Sequence, residues 1–150
     1  MKFTTAMKSV FGAVILYLFS VTALADIKTH QTFGDYTVHY TVFDSTFLKP
    51  ETAQAAGIVR AKNQKLVNVS VVRGKDLHGS PALIKGEAKD LMAVTKKLKF
   101  KEIREGEAVY YIAPVRSDSE EVMHFHLQVR TDPNGEFHKI NFTRKLYKER

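Results

Sequence analysis

Apolar and polar residues alternate with a period of two along most of this chain, and helical periodicity is scarce. Tyr36, Val38, Tyr40 and Val42 fall on one face of a strand, with Thr37, His39 and Thr41 on the other. Val67, Val69 and Val71 alternate with Asn68 and Ser70. Met123, Phe125, Leu127 and Val129 alternate with His124, His126, Gln128 and Arg130. Residues 108–113 are apolar on both faces, which predicts a strand covered on both sides. Leu98 and Phe100 alternate with Lys97, Lys99 and Lys101. Ile103 falls out of that phase, so a bulge or strand break is expected near Glu102.

Turn chemistry separates these strands. In Asp132-Pro133-Asn134-Gly135 the proline presets φ and the glycine lets the chain leave the turn, so residues 122–131 should pair with residues 137–147. Setting Leu127 opposite Ile140 and Phe125 opposite Phe142 puts both apolar rows on one face. The same register sets His126 beside Asn141 and His124 beside Thr143 on the other. A second hairpin is expected at Asn63-Gln64, joining residues 58–61 to residues 66–71. One short helix begins at Pro50, which suits a first helical position. Glu51 favours its positive end, Ala53, Ala55 and Ala56 propagate it, and Gly57 stops it. Residues 82–88 read as a strand followed by a loop. Short strands at roughly ten-residue spacing predict an all-β fold, an antiparallel immunoglobulin-like β-sandwich with one short helix.

Ahead of the strands the pattern changes. Lys2 and Lys8 open the chain, residues 9–25 carry no charge, and Ala23-Leu24-Ala25 sets small residues two positions apart before the polar Asp26. That order predicts a cleaved secretory signal peptide over residues 1–25 and a single domain over residues 26–150. The uncharged run is shorter than the ~20 residues that cross a bilayer comfortably, so the mature chain is expected to have no transmembrane anchor. The chain has no cysteine. A lipoprotein, thiol catalysis, Cys-ligated zinc and a disulfide framework are therefore excluded, and a packed core must hold the domain. The periplasm of a Gram-negative cell is the expected compartment. Without the leader, 21 basic residues stand against 16 acidic ones, a charge of +5. In that compartment nucleic acid is not an expected partner, whereas an envelope protein or an anionic envelope polymer or lipid is.

Several local strings carry a family resemblance. They are Phe33-Gly34-Asp35-Tyr36, His39-Tyr40, Ser45-Thr46-Phe47-Leu48-Lys49-Pro50, Gly57-Ile58-Val59-Arg60, Val67-Asn68-Val69-Ser70-Val71 and Phe100-Lys101-Glu102-Ile103-Arg104-Glu105-Gly106. In this order and spacing the chain resembles the bacterial domain of unknown function 4426 family, small exported proteins of Gram-negative bacteria. The resemblance implies an envelope β-sandwich and brings no catalytic residues. One departure is Lys89-Asp90-Leu91, where the family pattern leads one to expect an Asn-Leu pair.

Candidate chemistry is sparse. His124 and His126, two apart on a strand, project from one face at about 6 to 7 Å and have the spacing to share Zn²⁺ or Cu²⁺. A closed structural site wants about four protein ligands, and only Asn141 and Thr143 flank the pair. Ser45 near His39 lacks the Gly-x-Ser-x-Gly elbow of a hydrolase. Glu102, Glu105 and Glu107 offer paired carboxylates but read first as a solvated turn. Lys97, Lys99 and Lys101 form a cationic stripe that serves either partner contact or protection of an edge strand. Residues 44–60 interrupt the regular pattern, and Phe47, Leu48 and Arg60 there are the remaining contact candidates. The expectation is a non-enzymatic binding module without a cofactor, contacting partners through Phe47, Leu48, Arg60, Lys97, Lys99 and Lys101. The alternative is a metal-binding protein using His124 and His126.

Overall fold

Among the described residues the alternating segments form nine antiparallel strands in two sheets. In chain order they are β1 (His30–Phe33), β2 (Tyr36–Asp44), β3 (Gln64–Arg73), β4 (Leu83–Asp90), β5 (Thr95–Leu98), β6 (Lys101–Glu105), β7 (Ala108–Arg116), β8 (Glu121–Arg130) and β9 (His138–Leu146). One sheet runs β1-β2-β3-β7-β6 and the other β5-β4-β8-β9. This computed structural model describes residues 27–75 and 78–150. The predicted signal peptide lies outside the described residues.

The two sheets close on each other as an immunoglobulin-like sandwich. Val38 and Tyr40 of β2, Val67, Val69 and Val71 of β3, and Phe125, Leu127 and Val129 of β8 are buried in the shared core. Aromatic stacking crosses between the layers. Tyr40 stacks across on Phe142 of β9 at 4.6 Å, and within the four-stranded sheet Phe142 stacks on Phe125 of β8 at 4.9 Å. Such pairs contribute about 0.5–1.5 kcal/mol each beyond the area they bury. The β8–β9 hairpin has the register its apolar rows demand, with Leu127 opposite Ile140 and Phe125 opposite Phe142.

Two polar ties also cross the layers. Lys65, buried in β3, donates to Asp44 and to the carbonyl of Tyr147 just beyond β9. The Tyr111 hydroxyl of β7 accepts from the backbone of Ala82, 2.8 Å away at the entry to β4.

The helix α1 (Pro50–Ala56) forms where the sequence places it, with Pro50 at its start and Gly57 ending it at φ 62°. It covers the outer face of the five-stranded sheet. Ala53 and Ile58 are buried there with Leu66 and Ile112, and Leu48, Ile103 and Tyr110 pack against them. This explains why residues 108–113 are apolar on both faces. Val109, Tyr111 and Ala113 face the sandwich core, while Ile112 faces the helix layer.

Two expectations require correction. Residues 58–61 form no strand, and β3 pairs with β2 and β7 instead. Ile58 is apolar because it packs beneath the helix, not because it sits in a ladder. The expected break near Glu102 falls earlier, at Lys99 and Phe100, where the chain leaves one sheet for the other. Ile103 is out of phase with Leu98 because it serves the helix layer.

Candidate functional site

Outward-facing residues of the four-stranded sheet form regular rows. Glu87 of β4 lies between Lys97 of β5 and His126 of β8, and His126 lies beside Asn141 of β9. The next row is Lys85, Gln128 and Lys139. On the other side come Thr95, Lys89, His124 and Thr143. Strand alternation produces this face: Ile84, Ala88, Phe125, Leu127, Ile140 and Phe142 are buried on the inner side, so their neighbours must face out.

The face is cationic and holds a shallow depression of about 520 Å³ lined by Lys85, Glu87, Lys97, His126, Lys139 and Asn141. At one edge the Phe137 ring is flanked by Lys85 at 5.0 Å and Arg130 at 4.9 Å. Among the described residues, Lys85, Lys89, Lys97, Arg130 and Lys139 have no carboxylate within salt-bridge distance. Their charge is left for a ligand or for solvent.

Both histidines are oriented by their strand neighbours. The Nδ1 of His124 lies 2.8 Å from the Thr143 hydroxyl, and the Nδ1 of His126 lies 2.9 Å from the Asn141 carbonyl oxygen. A carbonyl oxygen only accepts, so Nδ1 of His126 carries the proton and Nε2 keeps its lone pair in the neutral ring. Among the described residues no three His, Asp or Glu side chains converge as a metal-holding group. Strand pairing also sets His30 against His39, with ring centroids 5.7 Å apart, a juxtaposition that sequence spacing does not show.

The structure separates the lysine stripe. Lys97 lies on β5 in one sheet and Lys101 on β6 in the other, with Lys99 in the crossing between them. Lys101 is turned to structural use, donating at 3.1 Å to the carbonyls of Ala56 and Gly57 at the helix end. Both β5 and β6 are edge strands. Phe47 and Leu48 also part ways: Phe47 is 74% exposed, whereas Leu48 packs on the helix layer. Leu48 lines a cleft of about 200 Å³ with Phe43, Asn68 and Ile103. Within that layer the Asn68 carboxamide oxygen is buried and, among the described residues, has no hydrogen-bond partner. Arg60 donates to the Thr46 carbonyl at 2.8 Å, pinning the segment that carries Phe47.

The hydrolytic candidates are engaged elsewhere. Ser45 is fully buried, and its hydroxyl both donates to and accepts from the backbone of Ala61 at 2.9 Å. His39 is exposed on β2, six positions before Ser45, about 20 Å of extended strand away. Glu105 and Glu107 flank the β6–β7 turn at Gly106. Glu102 accepts from Arg104 and from the Tyr111 hydroxyl, which hold its carboxyl below the usual range. Burial pushes the Tyr111 phenol up.

The model of a family described as a domain of unknown function (DUF4426) matches residues 30–149. The chain belongs to the DUF4426 family. A DUF4426 family protein from Pseudomonas aeruginosa PAO1, solved by crystallography, is similar at 31% identity and TM-score 0.75, covering 81% of this chain and 95% of that one. FetP from uropathogenic Escherichia coli strain F11 has the same fold at 9% identity and TM-score 0.59, covering 81% of this chain and 94% of FetP. A copper-bound variant of FetP aligns at 8% identity and TM-score 0.57, covering 83% and 92%. At that identity the likeness is one of fold. No curated protein matches the chain. Among the described residues of this DUF4426 protein, no helix is long and apolar enough to cross a membrane.

Proposed function

We propose that this DUF4426 protein is a non-enzymatic binding module of the Gram-negative periplasm whose contact surface is the outer face of the four-stranded sheet. Its partner is an anionic polymer of the envelope. The observation that carries this reading is a set of cations around Glu87, namely Lys85, Lys89, Lys97, Lys139 and Arg130, which among the described residues have no carboxylate within salt-bridge distance. A polar face with Gln128 and Asn141 between cations suits a chain of hydroxyl and phosphate or carboxylate groups better than an apolar ligand. Export through the predicted signal peptide supports the compartment. Titration calorimetry with lipopolysaccharide, using neutral dextran as control, tests the reading. Lys85→Glu with Lys97→Glu should weaken binding at least about tenfold, since each basic residue near an anionic surface contributes about 1 kcal/mol. Equal binding by the double variant, or equal binding to neutral dextran, would refute it.

A second reading has its own observation. Thr143 and Asn141 hold Nδ1 of the two histidines, which leaves Nε2 of each as the ligating atom, just as a hydrogen bond to the far ring nitrogen orients a metal-bound imidazole. Titration with Zn²⁺ and Cu²⁺ decides it. Saturable binding lost in His124→Ala/His126→Ala supports a metal role, and binding unchanged in that variant ends it.

A further inference from the structure

Among the described residues, most of the large apolar side chains left in solvent lie at one end of the sandwich. Leu91, Met92 and Val94 are 72%, 86% and 52% exposed, all within the turn between β4 and β5. The turn leaves β4 at Asp90, opposite Met123 near the start of β8, and β9 finishes at that same end with Leu146 opposite Glu121. Exposed Tyr147 follows there, and exposed Phe47 shares a cleft with it. The opposite end is different. Its turns carry Asp35, Glu105, Glu107, Asp132 and Glu136, all exposed.

The β4–β5 turn is built so that its apolar side chains can leave water. The Asp90 carboxylate accepts from the backbone N–H of Met92 and of Val94, both at 2.9 Å, and the Asp90 carbonyl accepts from Ala93 at 3.1 Å. Three N–H groups of the tip are thereby satisfied internally, which removes a main cost of entering an apolar phase. Ala93 holds a left-handed φ of 64°, a strained position for a residue with a β-carbon. The hydrogen bonds to Asp90 hold Ala93 in that conformation and with it the form of the tip that displays its neighbours.

Charge at this end selects the occupant. Asp118 is bound by Arg116, Glu120 by Lys145, and Glu149 accepts from Thr46. Among the described residues Lys49, Lys89 and Lys148 have no such carboxylate partner, against two carboxylates, Glu51 and Asp90, that have no cationic one. Apolar side chains at a rigid tip beside unpaired lysines match the boundary between acyl chains and anionic head groups.

We propose that this end of the sandwich docks on an anionic lipid leaflet, with Leu91, Met92 and Val94 entering the acyl boundary. This end adjoins the cationic sheet face at Lys89, and the proposal rests on its apolar tip rather than on what that face binds. Because the chain has no cysteine, Met92→Cys carrying an environment-sensitive fluorophore reports insertion directly, with Leu83→Cys near the opposite end as control. The probe is a vesicle of phosphatidylethanolamine and phosphatidylglycerol, compared with phosphatidylcholine alone. The label at position 92 should shift to the blue on the anionic vesicles and the label at 83 should not. In flotation, Leu91→Ser/Met92→Ser should lose at least tenfold in vesicle binding, whereas Lys85→Glu/Lys97→Glu should leave the blue shift in place. Absence of flotation, or flotation of the Leu91/Met92 variant at the wild-type level, overturns the proposal. So does a blue shift that appears without vesicles and grows with protein concentration, because a second copy would then be covering the patch.

Discussion

Lys65 is the residue whose environment departs furthest from its chemistry. Its side chain is 4% exposed, yet it carries a charge matched to Asp44 at 23% exposure and to the carbonyl of Tyr147. The pair ties the start of β3 to the end of β2 and to the segment beyond β9. Removing one partner leaves the other without its hydrogen bonds, which is more costly than replacing both by apolar groups. Lys65→Met should therefore destabilise the domain by about 3 kcal/mol, and Lys65→Met/Asp44→Leu should recover much of that loss. Urea denaturation of the two variants measures the difference. A double variant as unstable as the single one would mean that the Tyr147 contact, rather than the ion pair, is what matters.

At the scale of elements, the lysine series shows how one pattern can be divided by the fold. Alternation in residues 97–101 is real, but its lysines serve two edge strands and the crossing between them. Unpaired edges invite pairing with other chains, and charged side chains oppose it. Lys97→Val with Lys99→Val should leave the folded structure intact while raising aggregation at high protein concentration, followed by light scattering. The helix is a second case. Pro50, the alanines and Gly57 announce it in sequence, whereas its target, the outer face of β3 and β7, appears only as the unexplained apolarity of Ile112 and Ile103.

For the whole molecule, charge sets the pH response. Hydrogen bonds from Arg104 and Tyr111 lower the Glu102 carboxyl, and those from Arg116 and Asn63 lower Asp118. A carboxyl lowered in the folded state contributes stability that is present above its unfolded pKa and is lost as pH falls through the folded value. Stability should hold at neutral pH and decline as pH drops from the ordinary carboxylate range downward. Glu102→Gln with Asp118→Asn should flatten that decline in thermal melts taken across acid pH. An unchanged acid limb would place the sensitivity in other groups.

The sequence alone determined what depends on local periodicity and turn chemistry. It set the strand faces, the β8–β9 register down to His126 beside Asn141, the short helix and the two-sheet class, because side-chain alternation and Pro or Gly in turns act over a few residues. It also brought out the family through its strings. Which strands become neighbours was decided by tertiary structure, since pairing depends on long-range burial that no local window contains. The fold sent residues 58–61 to the helix layer, divided Lys97 from Lys101, and set Lys85, Lys97, Lys139 and His126 on one face from strands far apart in the chain. It also gathered Phe47, Tyr147 and the β4–β5 tip at one end. Sequence supplied the alternation of each strand; only the packing of strands into two layers turned it into surfaces.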